Sequence, residues 1–182
     1  MINLPNILSF ARLLAAPVAI MLMLEGRFTA CFWLFVAAGV TDAVDGWIAT
    51  RFDARTEFGA YLDPLADKAL VVSTYLMLGY LGHIPSWLVV LVVFRDVLII
   101  GGAMVAYVIL GDFRSRPLII SKVNTAVQIA LVAIVLARLG LGIGQPNFDL
   151  SLAYVAGATT LLSGFAYLWQ WGRRLARADG GE

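Results

Sequence analysis

Six apolar stretches, each about the length of a membrane-crossing helix, follow one another through a chain of 182 residues. A spanning helix needs about 20 mostly apolar residues. The stretches run from Leu4 to Leu24, Thr29 to Thr50, Ala60 to Leu81, Ser86 to Leu110, Ile119 to Leu139 and Leu150 to Trp171. The breaks at Glu25 to Arg27, Arg51 to Gly59, Gly82 to Pro85, Gly111 to Pro117 and Gly140 to Phe148 are rich in glycine, proline or charge, the usual punctuation between elements. Inside hydrocarbon every backbone N–H and C=O must be bonded within the chain, so runs of this kind have to be helices. The expected fold is an all-α integral membrane protein with six transmembrane helices, one domain over residues 1–182. Composition agrees: 61% of residues are hydrophobic and 14% charged, against roughly half and a quarter in soluble domains.

Charge narrows the partners. A net charge of +1 gives no field for nucleic acid and no polybasic anchor. The single Cys31 lies in an apolar run and reads as a free buried thiol, and the single His83, between Gly82 and Pro85, as a turn residue at the interface. The N-terminus shows neither the basic region nor the small-residue cleavage site of a signal peptide, so the first stretch is expected to stay. Lysine and arginine set the orientation. With both termini in the cytoplasm, Arg51, Arg55, Arg114, Arg116, Lys122, Arg173, Arg174 and Arg177 fall inside, and only Arg27 and Arg138 outside. A bacterial inner membrane is the expected location. Trp87, Trp169 and Trp171 stand near span ends and read as interfacial anchors.

The second and third stretches carry carboxylates that hydrocarbon should not tolerate. Asp42 and Asp45 are three residues apart, Asp63 and Asp67 four, and either spacing puts a pair on one helix face. A short loop joins the two stretches, so antiparallel packing can bring all four together on the cytoplasmic side. A carboxylate at mid-bilayer costs at least ~2.5–3.5 kcal/mol, and like charges add repulsion. Pairing with Arg51, Arg55 or Lys68 would explain one such pair. For four, divalent cations are the better explanation, and an all-oxygen donor set suits Mg²⁺ or Mn²⁺ rather than zinc. Two such ions, about 3.5–4 Å apart, form the usual clamp for in-line displacement at phosphorus. Gly46 and Gly59 beside the aspartates leave room for phosphates to approach the backbone.

Asp42, Asp45, Gly46 and Ala49, followed by Gly59, Asp63 and Asp67, resemble the signature of the CDP-alcohol phosphatidyltransferases, D-x2-D-G-x2-A-R-x8-G-x3-D-x3-D. The six-helix pattern extends that resemblance over nearly the whole chain. One position departs: the arginine expected after Ala49 is Thr50, with Arg51 next, about 100° further round a helix. The resemblance implies that Asp42, Asp45, Asp63 and Asp67 hold the metals and that Asp67 also takes the proton of the attacking hydroxyl. It implies that Gly46, Ala49, Thr56 and Gly59, with Asn6, Ser9 and Arg12 on the first helix, line the pocket for CDP-diacylglycerol. A homodimer is implied as well.

The cations of the second half point to the acceptor. Arg95 and Asp96 interrupt the fourth stretch, and Arg114, Arg116 and Lys122 gather before the fifth, as an anionic acceptor or a lipid phosphate would require. Phe94 to Val97 and the run from Ile120 to Gln128, with Lys122 and Asn124, are similar to the eukaryotic-type cardiolipin synthases, which use phosphatidylglycerol. Relatives that make phosphatidylglycerol phosphate from glycerol 3-phosphate carry Arg-Glu in the fourth helix and a second lysine where Asn124 stands. The charges agree, because a phosphodiester needs less positive charge than a phosphomonoester. Cardiolipin synthesis is therefore expected, with phosphatidylglycerol phosphate synthesis as the alternative. A divalent-cation transporter is the non-enzyme alternative, but no repeat of the acidic motif occurs in the second half, whereas many transporters are internally duplicated.

Overall fold

A computed structural model describes residues 4–52, 57–110 and 118–179. Among these residues the chain is all helix: α1 (Leu4–Leu24), α2 (Phe28–Phe52), α3 (Glu57–Tyr80), α4 (Ser86–Leu110), α5 (Ile119–Leu141) and α6 (Pro146–Asp179). Each apolar stretch corresponds to one helix. The bounds of α1 and α4 coincide with those read from sequence; α6 extends furthest beyond its stretch. Among the described residues, two helices are long and apolar enough by composition to cross a membrane, α5 and the Pro146–Arg173 part of α6.

The chain divides into two compact units: Met1–His83 with Val132–Pro146, and Ile84–Leu131 with Asn147–Glu182. In the first unit α1 packs against both α2 and α3. Among the described residues it is thus α1 that bridges the two aspartate-bearing helices. Its inward stripe is Ser9, Arg12, Ala15, Ala16, Ala19 and Met23, all buried, at the three- and four-residue spacing of one helix face. The alanines let neighbouring backbones come close. On α2 the buried stripe is Cys31, Phe35 and Ala38, and on α3 it is Ala66, Leu70, Thr74, Tyr75 and Leu78.

Two tight turns of this unit rest on glycine in the left-handed region. Gly26 has φ 71° and Gly82 φ 77°, a conformation that costs glycine almost nothing. At each, two backbone bonds close the preceding helix: Arg27 N–H to Leu22 O (2.8 Å) with Gly26 N–H to Met23 O (3.1 Å), and His83 N–H to Leu78 O (2.8 Å) with Gly82 N–H to Gly79 O (3.1 Å). This is the Schellman pattern, which satisfies carbonyls that a helix end leaves open. His83 then stands edge-on to Phe28, ring centroids 5.4 Å apart. The end of α5 meets the start of α2, where the Thr29 hydroxyl donates to Gly140 O at 2.6 Å.

The second unit is held by polar groups on facing helices. The inward stripe of α6 reads Asp149, Ala153, Ala156, Thr160, Ser163, Tyr167 and Trp171, every member buried. Trp171 is therefore no interfacial anchor. It lies against Gly102 of α4, where no side chain could fit, and beside Tyr167. Trp169 is exposed. Trp87 is partly exposed and stacks on Tyr154 at 5.6 Å.

Candidate active site

Asp42 lies one helical step beyond the buried stripe of α2, four residues after Ala38 and seven after Phe35. Facing it is Arg12, the only charged residue of α1. The Arg12 guanidinium donates from Nη1 to Asp42 Oδ1 at 2.6 Å, with side-chain exposures of 3% for the arginine and 48% for the aspartate. A contact this short is a charge-assisted hydrogen bond. Asp42 is thus clamped at one oxygen and half open to its surroundings. Ser9, one turn before Arg12, is buried beside it on the α1 stripe.

The backbone places the remaining acids in register with this stripe. Seven residues are two turns, so Asp45 shares its register on α2 with buried Ala38, and Asp63 shares its register on α3 with buried Leu70. Asp67 follows buried Ala66. The side chains of Asp45, Asp63 and Asp67 lie outside the described residues, as do those of Asn6, Gly46, Ala49 and Gly59, and all of Thr56. Lys68 is half-buried on α3.

The second unit brings together some of the expected acceptor residues and separates others. Arg95, 4% exposed, is a hub. It donates from Nη1 to Asp96 Oδ1 at 2.9 Å, and from Nη2 to the hydroxyls of Ser121 (2.5 Å) and Ser163 (2.6 Å). Its guanidinium carbon stands 6.0 Å from the Tyr167 ring centroid. Asn124 is fully buried, and its amide meets the hydroxyls of Thr159 and Thr160, each at 2.9 Å. Gln128, one turn on, reaches Thr160 at 3.3 Å. Arg95 and Asn124 thus tie α4 and α5 to α6. Lys122 is exposed: two residues from Asn124, it comes out about 200° round the helix. Arg114 and Arg116 lie outside the described residues.

Sequence reasoning missed the serine and threonine partners on α6, Thr159, Thr160 and Ser163. Their signal was the recurrence of small hydroxyl residues at helical spacing in an apolar run. It also assigns Arg12 to the nucleotide-lipid pocket without its aspartate, thirty residues along the chain.

The pattern of the CDP-alcohol phosphatidyltransferase family matches residues 2–167. A probable CMP-forming cardiolipin synthase of Drosophila melanogaster is 33% identical over 91% of this chain and 56% of its own length. The human CMP-forming cardiolipin synthase is 35% identical over 94% of this chain and 62% of its own. The CDP-diacylglycerol–glycerol-3-phosphate 3-phosphatidyltransferase of Bacillus subtilis is 33% identical over 92% of this chain and 94% of its own. The chain therefore spans less than two thirds of these two cardiolipin synthases, and nearly all of the Bacillus protein.

Proposed function

The chain belongs to the CDP-alcohol phosphatidyltransferase family, and on that premise we propose that it moves the phosphatidyl group of CDP-diacylglycerol to phosphatidylglycerol, forming cardiolipin and CMP. The observation that carries this reading is Asp42, clamped by Arg12, on an inward stripe whose register Asp45 and Asp63 continue. The cardiolipin synthases among its relatives and the Asp96 and Asn124 residues favour phosphatidylglycerol as the acceptor. A second reading, transfer to glycerol 3-phosphate, is favoured by the Bacillus relative of matching length.

The family generally depends on a divalent metal. The donor chemistry fits one, since Asp42 offers a hard oxygen donor on a half-open side chain. Asp42, Asp45, Asp63 and Asp67 would hold Mg²⁺ or Mn²⁺, as two ions. When bound, the metal supplies positive charge to the phosphates and to the departing CMP. The chain's residues do the rest. A carboxylate oxygen of Asp67 takes the proton of the acceptor hydroxyl. The acceptor oxygen forms a bond to the lipid-bearing phosphorus, and the bond from that phosphorus to the bridging oxygen breaks, so that CMP leaves as a monoester. Gly46, Ala49, Thr56 and Gly59, with Asn6 and Ser9, receive the nucleotide-lipid. Exposed Lys122, with Arg114 and Arg116, meets the acceptor phosphate, while Arg95 and Asn124 hold the helices that carry it.

The reaction needs both lipids in one bilayer. The six helices are accordingly proposed as six spans, with both termini and the aspartates on the cytoplasmic side, as the lysine and arginine asymmetry supports. A homodimer belongs to the same proposal through the family resemblance. Animal and bacterial chains both stand among the relatives, so kinship does not favour a bacterial inner membrane over an organellar one.

The test supplies purified protein in detergent with CDP-diacylglycerol, Mg²⁺ and either phosphatidylglycerol or glycerol 3-phosphate, and reads the lipid product by mass spectrometry. Cardiolipin, formed only with phosphatidylglycerol and reduced about 10²–10⁴-fold by Asp67→Asn, is the expected result. Phosphatidylglycerol phosphate would establish the second reading, and absence of CMP with either acceptor would contradict both.

A further inference from the structure

A lone arginine in an apolar helix is expensive in hydrocarbon, so its partner should identify its work. Among the described contacts of Arg12, that partner is a carboxylate on a neighbouring helix, Asp42. The pair is asymmetric: the guanidinium is almost wholly enclosed, whereas nearly half of the aspartate side chain stays open. A planar guanidinium fixed by its surroundings imposes a direction on the carboxylate it holds. Occupation of Oδ1 at 2.6 Å sets the Asp42 rotamer and leaves its open side for a further cation.

We propose that Arg12 is a positioning residue for the metal centre, pre-setting Asp42 for a divalent cation, rather than a contact to the phosphates of the nucleotide-lipid. The inference rests on the metal reading above and deepens it. Two opposing effects set the sign of its influence. The positive charge of Arg12 repels a metal ion, and the fixed orientation of Asp42 attracts one. Loss of the hydrogen-bonding partner of a metal ligand typically costs about 10–100-fold in metal affinity, so orientation outweighs repulsion. The short α1–α2 turn closed by Gly26 and Arg27 and the alanines of the α1 stripe place Arg12 opposite Asp42. The clamp is thus built by the packing of α1.

The experiment titrates the purified full chain in detergent with Mn²⁺ alone, without nucleotide, and follows free Mn²⁺ by electron paramagnetic resonance. Wild type, Arg12→Met and Arg12→Lys are compared, with thermal unfolding as the check on folding. Mn²⁺ affinity is expected to fall about 10–100-fold in Arg12→Met and by less in Arg12→Lys, which keeps the charge and loses the planar fork. At saturating Mn²⁺, KM for CDP-diacylglycerol stays close to wild type. Wild-type Mn²⁺ affinity in both variants, with a raised KM for the nucleotide-lipid, would overturn the inference and leave the metal reading standing. Failure of the wild type itself to bind Mn²⁺ would instead remove the metal reading, and this inference with it. If Arg12→Met does not fold, Arg12→Lys decides: weakened binding supports the clamp, and unchanged binding overturns it.

Discussion

Replacing Arg95 with leucine removes one half of a buried ion pair whose side chains are 5% and 7% exposed, together with the donor that Ser121 and Ser163 share. Breaking such a pair from one side costs about 3–5 kcal/mol, because a charge stays buried without its counter-charge. Arg95→Leu should therefore lower the unfolding midpoint clearly. Arg95→Leu combined with Asp96→Leu should recover much of that loss, since it removes both charges; thermal unfolding in detergent measures each. At this scale the sequence was partly informative. Charges at Arg12, Asp42, Arg95 and Asp96 stood out against an apolar background, and their expense in hydrocarbon marked them as functional or paired. Spacing along the chain says nothing, however, about which helices become neighbours. So the sequence assigns Arg12 to the nucleotide-lipid pocket and Arg95 and Asn124 to the acceptor, while the bonds they make run to α2 and to α6. The opposite facing of Lys122 and Asn124 was available from helical geometry alone.

Helices were the most legible level, because apolar runs of spanning length leave the backbone no other way to satisfy itself. What the runs did not reveal is how closely the helices approach. Gly140 comes so near the start of α2 that a Cβ there would meet backbone atoms of Phe28 and Thr29 at 2.7–2.8 Å. Backbone cannot move aside as a flexible side chain can, so Gly140→Leu should cost about 1–3 kcal/mol of stability as an overpacked contact. Gly142→Leu, by contrast, meets no atom but strains a left-handed residue with φ 71°. A thermal-shift comparison with Gly39→Leu, which has open space and ordinary backbone, isolates the steric cost. The same blindness to approach explains Trp171: its position near a span end looked interfacial, and only the bare Gly102 opposite it makes room for the indole.

Over the whole molecule, function depends on which side of the membrane each end occupies. A chain with six spans and cytoplasmic termini places the exposed Arg27 turn and the exposed Arg173 on opposite faces. The native Cys31 is fully buried and should give little background to a thiol reagent. In sealed vesicles, Arg173→Cys should react with an impermeant maleimide from the cytoplasmic side, and Arg27→Cys from the other. Reaction of both from one side would refute the proposed orientation. The overall class was legible because the bilayer permits so few architectures. The division into two compact units was not, since the second half of α5 groups with the helices at the start of the chain and the first half with α4 and α6.

The central claim is that an acceptor hydroxyl attacks the lipid-bearing phosphorus and expels CMP. It is tested most directly by giving the protein CDP-diacylglycerol, Mg²⁺ and phosphatidylglycerol whose terminal hydroxyl carries ¹⁸O. The expected result is one retained ¹⁸O in cardiolipin and none in CMP. Label in CMP, or cardiolipin without label, would contradict that claim.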